Sequence, residues 1–353
     1  ITSGDANVSL GSEAGESIDT GLYNVSVGYQ SNEAITSGQY NITIGAFALE
    51  TATTALKNIM IGGGAGQNIT AGVAVNGAIG IGYGAFSGTG TQTTDINHTI
   101  AIGTNTLANL ESGIGNVAVG YEALNAEGDG DKSTAIGYQA LTDQTGTTGT
   151  VGNTAIGYQA GQSVLTGVRN TYVGTSAGNK GSGSAADDNT AIGFRSLRVN
   201  TSGSRNTSLG AYSVQQMVNA RDTVAIGYYT LANALTSTDI DGSVAIGSFS
   251  QAENRTGIGN TSVGFETLLV DVNGDHNTAI GYTALKAQTG TTGTVGNTAV
   301  GYEAGVKITT GKNNTVLGSQ ALSNETDGDY NVAIGWKAGR NVHGAQKNVM
   351  IGY

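Results

Sequence analysis

The sequence contains neither cysteine nor proline among its 353 residues. Without cysteine the chain cannot form a disulfide framework, a thiolate metal site or a cysteine nucleophile. Without proline or a Gly-X-Y period it cannot form a collagen triple helix. Charged residues are also scarce, at 12%, and 26 acidic against 15 basic residues give a net charge of −11. So few basic residues predict that nucleic acid is not a partner.

Long apolar runs are absent as well. No stretch approaches about 18 consecutive apolar residues, so we predict that no part of this segment inserts into a membrane. The apolar fraction of 38% is nevertheless too high, and the charge too low, for a disordered polar chain. The sequence begins at Ile1 without a basic and apolar leader, and we expect a processed or truncated product.

Glycine is abundant, with 58 residues, and much of it follows an internal repeat. The unit Asn-x-small-aliphatic-Gly recurs in 20 copies, 15 of which have the Asn, and 13 of the 19 intervals between successive glycines are 17 residues long. No longer block lies outside this pattern, so residues 1–353 are predicted to form a single repeat domain. We number each copy from its glycine as position 0, and these glycines are Gly11, Gly28, Gly45, Gly62, Gly82, Gly103, Gly120, Gly137, Gly157, Gly174, Gly193, Gly210, Gly227, Gly247, Gly264, Gly281, Gly301, Gly318, Gly335 and Gly352.

The residues just before position 0 have the pattern of a β-strand. Position −1 is always Ile, Val or Leu, position −3 is usually β-branched or Thr, and position −2 is mostly small. This alternation has the period of a strand, and β-branched residues favour one. We expect the −1 side chains to fill a narrow interior and the small residues at −2 and +3 to face another surface. The frequent glycine at −7 is expected to supply a turn with positive φ.

The repeat length selects the fold class. Seventeen residues are too few for a two-helix repeat but enough for two short strands and two turns. We therefore predict an all-β protein, a parallel β-solenoid (β-roll) of about 20 coils, which would form a rod of roughly 95 Å at about 4.8 Å per coil. Segments 133–157 and 277–301 are nearly identical, which indicates tandem duplication. The additional residues of longer coils fall at one corner, as in 142–152, 232–242 and 286–296.

The residues that could carry chemistry do not form a recurrent set. His98, His276 and His343 lie in different repeats, which favours surface turns over a metal site. The acidic turns 129–131, 271–275 and 327–329 resemble fragments of calcium loops, but Tyr282 stands where such a loop needs Glu, so we interpret them as turn formers. The glycine-rich run 62–66 lacks the Lys-Ser/Thr pair of a phosphate loop. We predict no catalytic residue, metal ligand, cofactor or enzymatic activity.

Other solenoid functions fit the composition less well. Paired carboxylates could make a β-helix glycosidase, but the acidic residues cluster in turns and vary between copies. Threonine could order water at an ice surface, but it concentrates in loops such as 145–150. Position +1 is aromatic in 12 of 20 copies and could stack sugars or pack against a neighbouring chain. Packing is favoured, because a ladder of exposed aromatics is an aggregation hazard on a monomer.

Two segments carry a resemblance to a known family. Residues 243–250, SVAIGSFS, and 223–230, TVAIGYYT, resemble the head repeat of YadA-like trimeric autotransporter adhesins, and similar repeats are familiar from phage tail fibres. The resemblance implies a left-handed β-roll, a homotrimer, and binding to host matrix or cell surfaces.

We therefore expect the shaft or head of a tail fibre or surface adhesin that mediates attachment outside the cell, on a virion or a cell surface. Its expected partners are further copies of itself and a host-surface glycan or protein receptor. Two alternatives stay open. One is a carbohydrate-active tailspike, a glycan hydrolase or lyase, and the other is a structural filament that polymerises end to end.

Overall fold

A computed structural model describes residues 6–73, 75–88, 96–146, 149–179, 186–233, 240–289 and 293–353. These residues form strands and turns and no helix, which confirms the predicted all-β class. The chain divides into two compact units, and each is described by itself. Unit 1 comprises Ile1–Ser176 and Ser182–Ser184, and unit 2 comprises Ala177–Gly181 and Ala185–Tyr353.

Unit 1 is a stack of coils whose strands pair in parallel. Each principal strand covers positions −3 to −1 and pairs in register with the same positions of the next coil, as Val25 does with Ile42. The strands are β1 Val8–Leu10, β2 Val25–Val27, β3 Ile42–Ile44, β4 Ile59–Ile61, β5 Ile79–Ile81, β6 Ile100–Ile102, β7 Val117–Val119, β8 Gly130–Asp131, β9 Thr134–Ile136, β10 Gly149–Thr150, β11 Thr154–Ile156 and β12 Thr171–Val173.

Unit 2 repeats this arrangement. Its principal strands also pair in parallel and in register, as Thr298 does with Thr315. The strands are β13 Thr190–Ile192, β14 Thr207–Leu209, β15 Val224–Ile226, β16 Val244–Ile246, β17 Thr261–Val263, β18 Gly274–Asp275, β19 Thr278–Ile280, β20 Gly293–Thr294, β21 Thr298–Val300, β22 Thr315–Leu317, β23 Val332–Ile334 and β24 Val349–Ile351. The predicted parallel solenoid with a 17-residue spacing is confirmed.

Most coils contain one strand instead of the two expected. A second pairing occurs only locally in the described residues, where β8 pairs with β10 and β18 pairs with β20. Elsewhere isolated bridges join Gln39 to Leu56, Leu56 to Asn76, and Val199 to Gln216. The remainder of each coil consists of turns, so coil-to-coil hydrogen bonds outside the strand ladder carry much of the stacking.

The inward and outward faces of the strand ladder are opposite to those predicted from the sequence. The side chain at −2 is buried in every principal strand from β2 to β23, whereas those at −3 and −1 are half-buried or exposed. Ala135 at −2 is 0% exposed, and its neighbour Ile136 at −1 is 39% exposed. The −1 aliphatic side chains therefore do not fill the interior. The interior side of the strand is instead occupied by the residues at −2, most of which are small, together with the small residues at +3.

Inside the coils, the side chains at positions −2 and +4 compensate for each other in size. Position +4 is a buried leucine in many coils, for example Leu124 and Leu141. Where −2 is large, a nearby +4 position is glycine. A Cβ on Gly161 would lie 2.9 Å from a ring carbon of Tyr172, and one on Gly66 would lie 3.2 Å from Sδ of Met60. Such compensation keeps the packing dense while the coil outline stays constant.

A ladder of buried asparagines at position −4 joins successive coils. Nδ2 of Asn41 donates to Oδ1 of Asn24 at 2.9 Å and to the carbonyl oxygen of Ala55 at 2.7 Å. The backbone N–H of Asn58 in turn donates to Oδ1 of Asn41 at 3.1 Å. Each carboxamide thus satisfies polar groups in the preceding and the following coil, which a buried backbone requires.

Glycine is required at two positions for different reasons. At position 0, Gly45 has a φ of 134°, and a Cβ there would lie 2.5 Å from the carbonyl oxygen of Gly62. At position −7, Gly21 and Gly38 do not have positive φ, so the predicted reason for glycine at this position is wrong. A Cβ on Gly21 would lie 2.6 Å from the carbonyl oxygen of Gly38, so glycine is needed for the close approach of the next coil.

Candidate functional site: the exposed ladders

The outward face of the strands carries a ladder of aliphatic side chains. In unit 1, Ile44 and Ile156 at position −1 are 39% and 40% exposed. In unit 2, Ile192 and Leu317 at the same position are 39% and 47% exposed. Because position −1 is aliphatic in every copy, the exposure repeats from coil to coil within each unit. We call these residues, together with those at −3, the aliphatic ladder.

An aromatic ladder at position +1 follows the strand. In unit 1 the rings of Tyr121, Tyr138 and Tyr158 stack in three successive coils, with centroids 5.1 and 5.3 Å apart and interplanar angles of 15° and 12°. In unit 2, Phe265, Tyr282 and Tyr302 stack in the same way at 5.3 and 5.5 Å, with angles of 13° and 12°. These two tracts lie 144 residues apart in the sequence, as do the duplicated segments.

The stacked tracts present ring edges instead of ring faces. Tyr138 has a parallel ring on each side, so both of its faces are covered although the side chain is 44% exposed. Sugar rings stack on exposed aromatic faces, and only the end rings of a tract have one. The edges and hydroxyl groups are suited to contact a protein surface, which favours packing over sugar stacking in these tracts.

Polar side chains at position +2 accompany the aromatic tracts. Nε2 of Gln139 donates to Oε2 of Glu122 at 2.9 Å, one coil away. Hydrogen bonding with Glu122, followed by the charge of that carboxylate, raises the pKa of Tyr121, and Glu303 acts in the same way on Tyr302. These tyrosines therefore stay neutral at physiological pH and present their hydroxyl groups as hydrogen-bonding groups.

A groove of about 490 Å³ interrupts the aromatic ladder in unit 1. Successive coils have Ala46 and Gly63 at position +1, followed by Tyr83, so two rings are replaced by a space. Among the residues that the structure describes, no charged side chain lines this groove. We call it the Tyr83 notch, and its walls include Phe47, Gln67, Asn68, Tyr83 and Asn105.

Two residues of the glycine-rich run 62–66 line the notch. The sequence excluded a phosphate loop there, and the structure places Gly63 and Gly64 in the groove wall. The missing aromatics at +1 were readable in the repeat alignment, whereas the cavity that their absence leaves became visible only when the coils were stacked.

The histidines and acidic turns do not come together. His98 and His276 both occupy position −5 and are exposed, but they belong to different units, and His343 is exposed in a later coil. The acidic turns bond to neighbouring coils. Oδ1 of Asp131 accepts the backbone N–H of Ile114 at 2.8 Å, and Oδ1 of Asp275 accepts that of Ile258 at 3.0 Å.

One group of carboxylates lies close together in the described part of the chain. Carboxylate oxygens of Glu13, Glu16 and Glu33 lie within 4.8 Å of one another. Partial burial, then the negative charges of Glu13, Glu50 and Glu16, raise the pKa of Glu33. These side chains are exposed or half-exposed and have no additional ligand, so they carry no metal assignment.

Three acidic side chains are buried at position −10, a corner of the coil where other copies have residues such as Ile35. In each case the carboxylate accepts a hydrogen bond from the backbone N–H three residues later. Burial raises the pKa of Asp271 to about 7 despite its hydrogen bonds with Gly274 and Asn277. Burial also raises the pKa of Glu127. Sequence analysis interpreted the acidic residues of 271–275 as turn formers, and the structure adds that Asp271 is buried.

Comparison with known proteins adds no relative. No protein-family model matches the chain, and neither a curated protein nor a solved structure does. The described residues contain no helix long and apolar enough to span a bilayer. The resemblance to YadA-like head repeats therefore stays a sequence-based prediction.

Proposed function

We propose that the chain is the shaft or head of an extracellular attachment fibre, of the phage tail-fibre or surface-adhesin type, that its β-roll is left-handed and that it acts as a homotrimer. The observation that carries the proposal is the exposed aliphatic ladder beside the aromatic ladder. Soluble monomers rarely expose continuous apolar patches larger than a few hundred Å². Association of identical chains along the aliphatic ladder would remove its apolar side chains from water.

The described coils suit a mechanical role. Successive strands keep the same register, and buried asparagines connect coils with side-chain hydrogen bonds. Three parallel copies of a weak surface site would give avidity without any single strong contact. A net charge of −11 per chain would keep such an assembly soluble. Attachment to a host-surface glycan or protein receptor follows from this architecture as part of the proposal.

The tailspike alternative needs two carboxylic acids facing a groove. No described residue that lines the Tyr83 notch carries a carboxylate, and the buried acids Glu127 and Asp271 accept hydrogen bonds from the backbone N–H groups of Gly130 and Gly274. These observations favour the fibre over a glycan hydrolase or lyase. Incubation with bacterial polysaccharides, followed by an assay for new reducing ends or unsaturated products, tests the alternative directly.

Light scattering on the purified chain tests the assembly. We expect a particle of about 106 kDa, three times the 35.4 kDa of one chain. A stable soluble particle of 35.4 kDa would contradict the trimer. A distribution of much larger species that grows with protein concentration would instead support the end-to-end filament.

A further inference from the structure

We propose that the Tyr83 notch is a binding site for a neutral saccharide. The inference rests on the proposed attachment function, to which it adds a location and a ligand class. The notch spans four successive coils of unit 1 and has a volume of about 490 Å³. Sites for small ligands enclose about 300–1,000 Å³, so the volume suits an oligosaccharide of a few residues.

Tyr83 differs from the stacked tyrosines of the same ladder. Its side chain is 70% exposed, against 40%, 44% and 49% for the stacked tract that begins at Tyr121. In the part of the chain that the structure describes, no other ring stacks on Tyr83. The reason is local, because the +1 neighbours are Gly63 before it and Thr104 after it. A Cβ on Gly63 would lie 3.4 Å from Cδ2 of Tyr83, so the glycine leaves the side of this ring open.

An open tyrosine ring is what a sugar needs as a platform. The C–H groups on one face of a pyranose pack on an aromatic face, while the hydroxyl groups at its rim need hydrogen-bonding partners. Tyrosine supplies an apolar body with a polar tip. Phe47, two coils before Tyr83, also lines the notch, so a sugar chain that enters it meets two aromatic rings.

Amide side chains supply the hydrogen-bonding groups. Nε2 of Gln67 donates to Oε2 of Glu50 at 2.9 Å, which fixes the plane of this amide. Glycine at position +2 makes room for two amide oxygens. A Cβ on Gly64 would lie 2.9 Å from Oε1 of Gln67, and one on Gly84 would lie 2.8 Å from Oδ1 of Asn105. Because an amide both donates and accepts, such groups match sugar hydroxyls.

The charge of the surroundings selects a neutral ligand. All residues that line the notch in the described part of the chain are neutral, and the chain carries a net charge of −11. An anionic sugar or a phosphate would find no cation in the lining to pair with, and the acidic chain would repel it. Neutral hexose or N-acetylhexosamine oligomers avoid both penalties.

Binding is tested on the full chain with four neutral probes: maltotriose, cellotriose, mannotriose and triacetylchitotriose, with sialyllactose as the anionic comparison. Saturation-transfer NMR detects contact, and calorimetry gives Kd. We expect at least one neutral probe to bind and sialyllactose to bind more weakly. Tyr83→Ala should weaken binding about ten-fold or more, as loss of an aromatic stacking platform does.

A second variant fills the notch instead of removing its platform. Gly63 does not have positive φ, so Gly63→Tyr restores the aromatic at position +1 and should also abolish binding. Tyr138→Ala removes a tyrosine from a stacked tract outside the notch and should leave Kd within about two-fold. The mass of each variant, measured by light scattering, separates loss of the site from loss of assembly.

Three results would overturn the assignment. Binding of none of the neutral probes would do so, as would unchanged Kd in both Tyr83→Ala and Gly63→Tyr. Preferential binding of sialyllactose would assign the notch to an anionic ligand. If the chain is monomeric and still binds a neutral probe through Tyr83, the saccharide site stands while the proposed trimer fails.

Discussion

Oδ1 of Asn24 accepts two hydrogen bonds from Asn41 in the next coil, one from the backbone N–H at 3.0 Å and one from Nδ2 at 2.9 Å. The same relation joins Asn297 to Asn314, and Asn314 to Asn331, in unit 2. A side chain therefore performs between coils the task that backbone groups perform within a sheet. This explains why asparagine recurs at −4 beside a strand, where its own preference for strands is low.

Replacement of Asn41 by alanine is expected to destabilise unit 1. The change leaves the carbonyl oxygen of Ala55 and the backbone N–H of Asn58 without their partner inside the solenoid. An unsatisfied buried polar group costs about 1–3 kcal/mol, so a loss of about 2–4 kcal/mol is expected. Hydrogen exchange should accelerate most at the amide of Asn58. Asn109→Ala, at an exposed asparagine, is the control and should change stability by less than about 0.5 kcal/mol.

Alanine at position 0 is expected to break the stacking of coils. Gly45 has a φ of 134°, and a Cβ there would lie 2.5 Å from the carbonyl oxygen of Gly62. Gly45→Ala should therefore lower the midpoint of thermal unfolding strongly or prevent folding. Gly63→Ala is the matched control, because Gly63 does not have positive φ and its Cβ would be in ordinary contact with Tyr83 at 3.4 Å. Equal effects of the two substitutions would show that backbone approach is not what requires glycine at position 0.

Stability should depend on pH through Asp271. Burial raises its pKa from an ordinary 3.8 to about 7, so the folded chain holds this proton more tightly than the unfolded chain. The carboxyl therefore contributes stability that is complete below about pH 4 and is lost as the pH rises to about 7. The difference corresponds to roughly 4 kcal/mol at most. Asp271→Asn should remove this dependence and raise stability at pH 8 by about 1–3 kcal/mol in urea unfolding. Asn254 already occupies this position one coil earlier and accepts the N–H of Gly257 at 2.8 Å.

Glu325 provides a contrasting control at the same position. Burial acts to raise its pKa, but the backbone N–H groups of Gly328, Thr326 and Gly344 stabilise the carboxylate, and the net shift is downward. Its contribution to stability is thus present above its ordinary pKa of 4.5 and is lost as the pH falls. Glu325→Gln should destabilise unit 2 at pH 7. If Glu325→Gln stabilised the chain, or if Asp271→Asn did not, the assignment of the two environments would be contradicted.

The repeat pattern was sufficient to predict the class and spacing of the fold but not which strand face is inside. Alternation at −3, −2 and −1 defines two faces, and the usual rule places the larger aliphatic residues in the core. Ala135 is buried and Ile136 is exposed, because in many coils the interior beside the leucine at +4 holds only a small side chain at −2, and a large one such as Tyr172 is found where a nearby +4 residue is glycine. The volume of the interior decides this point, and a single copy of the repeat does not reveal it.

The candidate sites were predictable to different degrees. The aromatic ladder at +1 follows from sequence periodicity, since coil stacking places equivalent residues side by side. The parallel stacking of Tyr121 on Tyr138 and the notch beside Tyr83 depend on ring orientation and on which neighbours are small, so they required coordinates. The burial of Asp271 was not predicted, because acidic residues near glycine are typical of turns.

The proposed trimer predicts that charges on the aliphatic ladder separate the chains. Ile44→Lys and Ile156→Lys, combined in one chain, place ammonium groups at outward positions that are 39% and 40% exposed and lie in strands that do not pair with each other. The folded chain should tolerate both, because each Lys can extend into solvent, whereas an apolar interface would have to bury two charges per chain. We expect the mass to fall from about 106 kDa to the 35.4 kDa of one chain, with the β-type circular dichroism retained. Asn109→Lys adds a charge away from this ladder and should leave the mass unchanged. A doubly substituted chain that keeps the full mass would exclude the aliphatic ladder as the contact between chains.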